Sequence, residues 1–141
     1  MILNHKDTKN TKNIDEEERE ELEGLAYEVI GAAIEVHRLL GPGYLETIYE
    51  EAISVELAAR GVPFARQVIL TIMYKGQAIG DSRLDLLIGG KLIVELKAVD
   101  ALAPIHTAQA LSYLKATGNK LALLINFNVP VLKEGIRRVI R

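Results

Sequence analysis

The sequence contains no cysteine, which excludes disulfide bonds, thiolate zinc sites and a cysteine nucleophile. Its three histidines, His5, His37 and His106, lie far apart and show no metal-ligand spacing. No apolar run reaches the roughly 18 residues that a membrane-spanning helix needs, and the first residues lack the apolar core of a signal peptide. These absences favour a cytoplasmic protein with no membrane contact.

The net charge of −2 is distributed unevenly along the chain. Residues 1–13 carry +2 and residues 14–23 carry −6, so the remaining 118 residues carry +2. A weakly basic body permits phosphate binding, although no strong basic stripe is visible.

The length of 141 residues is that of one ordinary domain. Residues 1–13 are polar and aperiodic, and we expect a disordered N-terminal tail there. Residues 14–141 are predicted to form a single domain.

Apolar residues at helical spacing predict two helices before any strand. The first is capped by Asp15 and ends at Gly41. Its apolar stripe consists of Leu22, Leu25, Ala26, Val29, Ile30, Ala33, Val36 and Leu40. The second helix covers residues 45–60, and its predicted buried stripe consists of Leu45, Ile48, Ala52, Val55 and Ala59.

From residue 66 onward the pattern changes to that of strands. Strands are predicted at residues 66–74, 78–88, 91–98 and 120–127, with a third helix at residues 105–117 and a final strand or short helix at residues 133–141. The order ααβββαβ predicts an α/β fold with no internal repeat.

Three charged side chains interrupt apolar strands. Glu95 and Lys97 lie two residues apart and therefore project from the same strand face, while Asp85 lies between leucines on the preceding strand. Oxygen ligands without cysteine or paired histidine suit Mg²⁺ or Mn²⁺. Such an ion can polarise a phosphate oxygen and activate a water, and Lys97 could stabilise the developing charge. This set is sufficient for phosphodiester hydrolysis.

A second explanation of the same residues stays open. Glu95 and Lys97 could form an ion pair on a solvated sheet face, which is common in proteins. From these residues alone, that structural explanation is favoured.

The length of the loop between the second and third predicted strands determines whether Asp85 and Glu95 lie on the same face of the sheet. Paired residues of an antiparallel hairpin share a face. A two-residue turn at residues 89–90 would pair Asp85 with Val94 and send Glu95 to the opposite face. We therefore predict an odd register, from either a three-residue loop at residues 89–91 or a bulge near Asp85.

An ordered set of motifs along residues 22–141 resembles the GxxExxY protein family, which is grouped with the PD-(D/E)XK nucleases. The motifs are GYLETIY at residues 43–49, Gln67, DLL at 85–87, ELKA at 95–98, QALSYL at 109–114 and LINF at 124–127. The resemblance implies a restriction-endonuclease-like αβββαβ core, a mixed β-sheet flanked by helices, with an extra N-terminal helix. The family's proline before the first strand acid is absent here, because Leu84 precedes Asp85.

The resemblance also implies roles for individual residues. Glu46 would complete a metal site with Asp85 and Glu95, and Lys97 would be the catalytic lysine. Gln109 and Tyr113, which are four residues apart and share a helix face, resemble the QxxxY motif of RecB-type nucleases. These two are expected to bind substrate, as are two further candidates, Tyr49 and His106.

The first functional hypothesis is a Mg²⁺- or Mn²⁺-dependent nuclease, with nucleic acid as partner and DNA favoured over RNA. The alternative is a catalytically weak or silent module that binds nucleic acid or protein on the same fold. A third hypothesis is a structural homodimer that associates through the amphipathic first helix.

Overall fold

The computed structural model describes residues 15–141, so the expected disordered tail at residues 1–13 lies outside the described part. Within these residues the elements follow the predicted order ααβββαβ, and the tail, for which the sequence left a strand or a short helix open, contains a short 3₁₀ turn followed by a strand. The elements are α1 (Glu16–Leu40), α2 (Glu46–Ala59), β1 (Phe64–Tyr74), β2 (Gln77–Ile88), β3 (Leu92–Lys97), α3 (Pro104–Thr117), β4 (Leu121–Asn126), a 3₁₀ turn (Leu132–Gly135) and β5 (Ile136–Ile140).

One mixed sheet joins the five strands in the order β1-β2-β3-β4-β5. All neighbours are antiparallel except β3 and β4, which are parallel. A parallel pair needs a crossover connection, and α3 supplies it. Helices α1 and α2 cover one face of the sheet, and α3 covers the other. The predicted α/β class, with helices flanking a mixed sheet and an extra N-terminal helix, is confirmed.

Helix α1 begins as the sequence predicts. The Asp15 carboxylate accepts a hydrogen bond from the Glu18 backbone N–H at 2.8 Å, and glutamates in the first turn favour the helix dipole. Most of the apolar stripe of α1 is buried in the chain's own core, and its remaining residues, Leu25, Ile30 and Leu40, pack against that core while partly buried. In residues 15–141, no helix is long and apolar enough to cross a lipid bilayer.

The buried face of α2 is not the predicted one. Leu45 and Val55 are 75% and 70% exposed, whereas Tyr49, Ile53 and Leu57 are fully buried. The prediction was wrong because two polar residues share the buried face, namely Glu50 and Ser54. Glu50 is satisfied by side chains of β1, and Ser54 donates to a carbonyl one turn earlier. Polarity therefore did not mark the solvent side of this helix.

Candidate active site

The β2–β3 loop has the predicted odd register. Ile88 pairs with Leu92, which leaves three residues in the loop, and the pairing continues to Leu86 with Val94. The same register sets Asp85 across from Glu95, on one face of the sheet. Gly89 and Gly90 adopt φ values of 58° and 73°, a conformation that glycine adopts without a Cβ clash.

Beyond Leu86 the backbone ladder between β2 and β3 stops, and the two carboxylates replace it. Glu95 Oε2 accepts from the Asp85 backbone N–H at 3.0 Å. Asp85 Oδ2 accepts from the Leu96 backbone N–H at 2.7 Å. Each carboxylate thus satisfies a backbone donor that the ladder leaves without a carbonyl partner. The two acids are held side by side in the fork between the strands.

Glu95 lies in an environment that opposes its negative charge. The side chain is only 4% exposed. The pKa of Glu95 is raised from 4.5 to about 8, by burial first and then by the charges of Asp85 and Glu46, while the Asp85 backbone N–H and Lys97 act in the opposite direction. Glu95 therefore holds a proton at neutral pH unless a cation offsets the negative charge around it.

Asp85 is perturbed in the same direction. Burial is the main cause that raises the pKa of Asp85, and the charge of Glu50 adds to the rise. The Leu96 backbone N–H, Lys97 and the Gln67 side chain lower this pKa. Two adjacent carboxyl groups with raised pKa values form an oxygen-only pair of the kind that divalent cations bind.

Glu46 lies near this pair but does not join it in a group of three acids close enough to hold one metal ion. It is exposed in the first turn of α2, and its pKa is raised by partial burial and then by the charge of Asp85. Across residues 15–141, no three acidic, histidine or cysteine side chains lie close enough to hold one metal ion. The predicted three-carboxylate cluster is thus not preformed within the described residues. The donor chemistry of Asp85 and Glu95 nevertheless fits Mg²⁺ or Mn²⁺.

Lys97 ends β3 on the same strand face as Glu95. Its ammonium lies 3.5 Å from the Gln109 side-chain oxygen on α3, so the structure brings these two candidates together. Glu95 is buried, and none of the ion pairs of the described region joins it to Lys97. The solvated ion pair that the sequence left open therefore does not exist in this structure.

The remaining candidates lie in different surroundings. Tyr113 is 8% exposed and belongs to the apolar cluster under α3, which also contains Leu84 and Ile93. The His106 Nδ1 accepts the Ala103 backbone N–H at 2.9 Å, so this ring caps α3.

The expectation that Tyr49 contacts substrate does not fit this structure. Its ring is fully buried and stacks on Phe127 at a centroid distance of 4.4 Å. Its hydroxyl donates to the Gly41 carbonyl and accepts from the Tyr44 backbone N–H. Tyr49 thus joins the turn before α2 to the core.

Two residues near the acids were not chosen from the sequence. Glu50 is 8% exposed and lies one helical turn after Glu46, on the side that meets the sheet. The Gln67 side-chain amide donates to the Glu50 carboxylate at 2.8 Å. The sequence motif that contains Gln67 had assigned it no role. The available signal was the i, i+4 spacing of Glu46 and Glu50, which places both acids on one helix face.

Comparison with known proteins supplies one match. The family model described as the PD-(D/E)XK nuclease superfamily matches residues 23–139. No curated protein and no solved structure matched the chain.

Proposed function

The chain belongs to the PD-(D/E)XK nuclease superfamily, and from this premise we propose that it is a metal-dependent nuclease that hydrolyses phosphodiester bonds of nucleic acid. DNA is the favoured substrate. The observation that supports this most is the pair of adjacent carboxyl groups, half-buried Asp85 and buried Glu95, which lie near Lys97 and have raised pKa values. Within the superfamily, the motif at residues 43–49 and its partners support the GxxExxY family.

In this proposal Asp85 and Glu95 hold Mg²⁺ or Mn²⁺, and Glu46 approaches from α2 to complete the ligand set. When bound, the cation polarises a phosphate oxygen and lowers the pKa of an adjacent water. The Lys97 ammonium faces the same site and stabilises the negative charge that develops on the phosphate. Gln109 accepts from Lys97 and limits its orientations.

The proposal extends to residues 14–141 as one nuclease-like domain. His106 is a weaker candidate for substrate contact than Gln109, because one of its ring nitrogens already caps α3. Tyr113 acts by packing behind the site, since most of its surface is buried.

The test is incubation of the purified protein with end-labelled single- and double-stranded DNA and RNA, in Mg²⁺, Mn²⁺ or EDTA. We expect cleavage in either metal and none in EDTA. The Asp85→Asn variant is the active-site control, because it retains shape and loses charge. No cleavage of any of the four substrates in either metal would contradict the proposal.

The alternative is a binding module on the same fold that has little or no turnover. One observation favours it: the three carboxylates are not gathered into a ligand group within residues 15–141. Nucleic-acid binding that is equal in EDTA and Mg²⁺, without cleavage, would support this alternative.

A further inference from the structure

Gln67 has a backbone conformation that is unusual for its residue type. It lies inside β1, yet its φ is 49°, in the left-handed region that costs a residue with a Cβ about 1 kcal/mol or more. The β1–β2 register places Gln67 across from Asp85, between the flanking pairs Arg66–Leu86 and Val68–Leu84. The strained residue thus lies directly opposite a candidate site acid.

At the same position of the β1–β2 hairpin, the apolar side chains change the face of the sheet on which they pack. Leu86 packs in the core under α1 and α2, whereas Leu84, only two residues earlier, packs in the core under α3. Residues two apart on a regular strand would share a face, so the strand pair twists sharply between them. The left-handed Gln67 lies at this twist.

The orientation of the Gln67 amide is determined by its partner. Its Nε2 donates to Glu50 Oε1 at 2.8 Å, and a carboxylate in an ion pair can only accept. Glu50 is itself held by Arg66, whose Nε donates to the other oxygen at 3.1 Å. One amide hydrogen therefore points at Glu50, and the second is free to act on Asp85, whose ionised form Gln67 favours.

We propose that Gln67 is a positioning residue, whose side-chain amide, anchored on Glu50, holds the Asp85 carboxylate in the fork between β2 and β3. In this proposal the left-handed backbone of Gln67, directly opposite Asp85, serves to direct the second amide hydrogen towards that carboxylate. The inference rests on the proposed function for its purpose, since the oriented carboxylate is the one assigned to the metal. If Gln67 had only a structural role, its amide would donate a hydrogen bond to the Glu50 carboxylate and would not affect the position of Asp85.

The experiment measures the Asp85 carboxylate in the metal-free protein. The reporter is the Leu96 backbone amide, which donates to Asp85 Oδ2 and is read by its ¹H–¹⁵N NMR signal and its hydrogen-exchange rate. Gln67→Gly removes the amide and relieves the strained φ. Gln67→Asn keeps an amide and tolerates the left-handed region, but is one methylene shorter. Thr71→Ala, at an exposed position of the same strand, is the matched control.

We expect both Gln67 variants to move the Leu96 amide signal upfield and to speed its exchange, while Thr71→Ala leaves both unchanged. Mn²⁺ affinity measured by calorimetry should fall by roughly tenfold in the two variants, as for other residues that orient a metal ligand. The Tm of Gln67→Gly should be no lower than that of Gln67→Asn, because glycine adopts the positive φ of residue 67 without a steric clash.

A Leu96 amide that is unchanged in both Gln67 variants would overturn the positioning role. If the wild type binds Mn²⁺, equal Mn²⁺ affinity in the wild type and both variants would overturn it as well, whereas a wild type that binds no Mn²⁺ would contradict the proposed function and leave the Leu96 readout to decide this inference. The reporter needs neither metal nor turnover, so it decides this inference even if the wild type cleaves no nucleic acid.

Discussion

At the scale of single residues, the candidate site contains two acids, Asp85 and Glu95, whose ionised forms are disfavoured by burial. Burial is the main cause that raises the pKa of both Asp85 and Glu95; the charge of Glu50 adds to the rise at Asp85, and the charge of Asp85 adds to the rise at Glu95. The charge of Lys97 lowers the pKa of both acids, but it offsets the rise only in part. In the proposed metal site, a bound cation would offset the negative charge of these acids and so favour their ionised forms.

The stability of the metal-free protein should therefore depend on pH through Glu95. Its pKa rises from 4.5 to about 8 on folding, so the folded chain keeps a proton that the unfolded chain loses between these values. The free energy of unfolding should fall as pH rises from about 4.5 to about 8, by at most about 5 kcal/mol at about 1.4 kcal/mol per pKa unit. Chemical denaturation across this range measures it.

Two variants separate this effect from general acid titration. Glu95→Gln removes the group and should flatten the pH profile. Glu51→Gln removes an exposed acid whose pKa Arg66 lowers, and should leave the fall in place. Stability that rises between pH 5 and 8 in the metal-free wild type would contradict the assignment.

Lys97→Ala should abolish cleavage while nucleic-acid binding persists, because the lysine is assigned to the reacting phosphate rather than to gripping the backbone. The control is Lys91→Ala, in the loop before β3, where a partly exposed lysine pairs with Glu21 and contributes little. Filter binding and cleavage on the same substrate give both readouts. Equal loss of binding and cleavage would make Lys97 a phosphate anchor instead.

At the scale of elements, polar partners decide which side of a helix is buried. Helix α2 exposes Leu45 and Val55 and buries Glu50, because Arg66 and Gln67 on β1 satisfy that acid. The buried acid in turn holds β1 at the point where its hairpin twists. A polar contact between a helix and a strand thus shapes the fork that contains the candidate site.

Truncation of two apolar residues on α2 tests this orientation. Ile53→Ala should cost about 2–5 kcal/mol, as for a buried large-to-small change, because Ile53 is fully buried. Val55→Ala, two positions later and 70% exposed, should change stability by less than about 0.5 kcal/mol. Urea denaturation compares the pair, and a reversed order of the two costs would show that the other face is buried.

At the scale of the whole molecule, the site lies where the two cores of the sheet diverge. The core under α1 and α2 contains Leu86, and the core under α3 contains Leu84, so packed side chains flank Asp85 on both sides. A site supported by two packed layers is held by rigid elements rather than by loops. Cation binding at this position should therefore be coupled to the stability of the fold as a whole.

Mn²⁺ should raise the Tm of the wild type, and more at pH 8 than at pH 5, because the cation must displace the proton on Glu95 at the lower pH. At 100 times the dissociation constant, ligand linkage corresponds to about 2.7 kcal/mol. Glu95→Gln should lose most of this gain and Glu51→Gln should keep it. An equal Tm with and without Mn²⁺ at pH 8 would contradict a metal site in the fork.

The sequence by itself determined the features that depend on local periodicity. Alternation placed Glu95 and Lys97 on one strand face, the odd loop register set Asp85 across from Glu95, and the helices and strands from α1 to β4 follow the predicted order within a few residues. These follow from rules that act over a few residues, namely the two-residue strand period, the helical period and the conformational freedom of glycine.

Only the tertiary structure decided which partners distant polar groups meet. It buried Glu50 against β1, enclosed Tyr49 in the core, kept Glu46 apart from the carboxyl pair, and set Gln67 in a strained conformation opposite Asp85. The physical reason is that burial of a polar group depends on whether a partner from another element reaches it. That information is carried by the packing of α2 on β1 and not by the pattern of either segment.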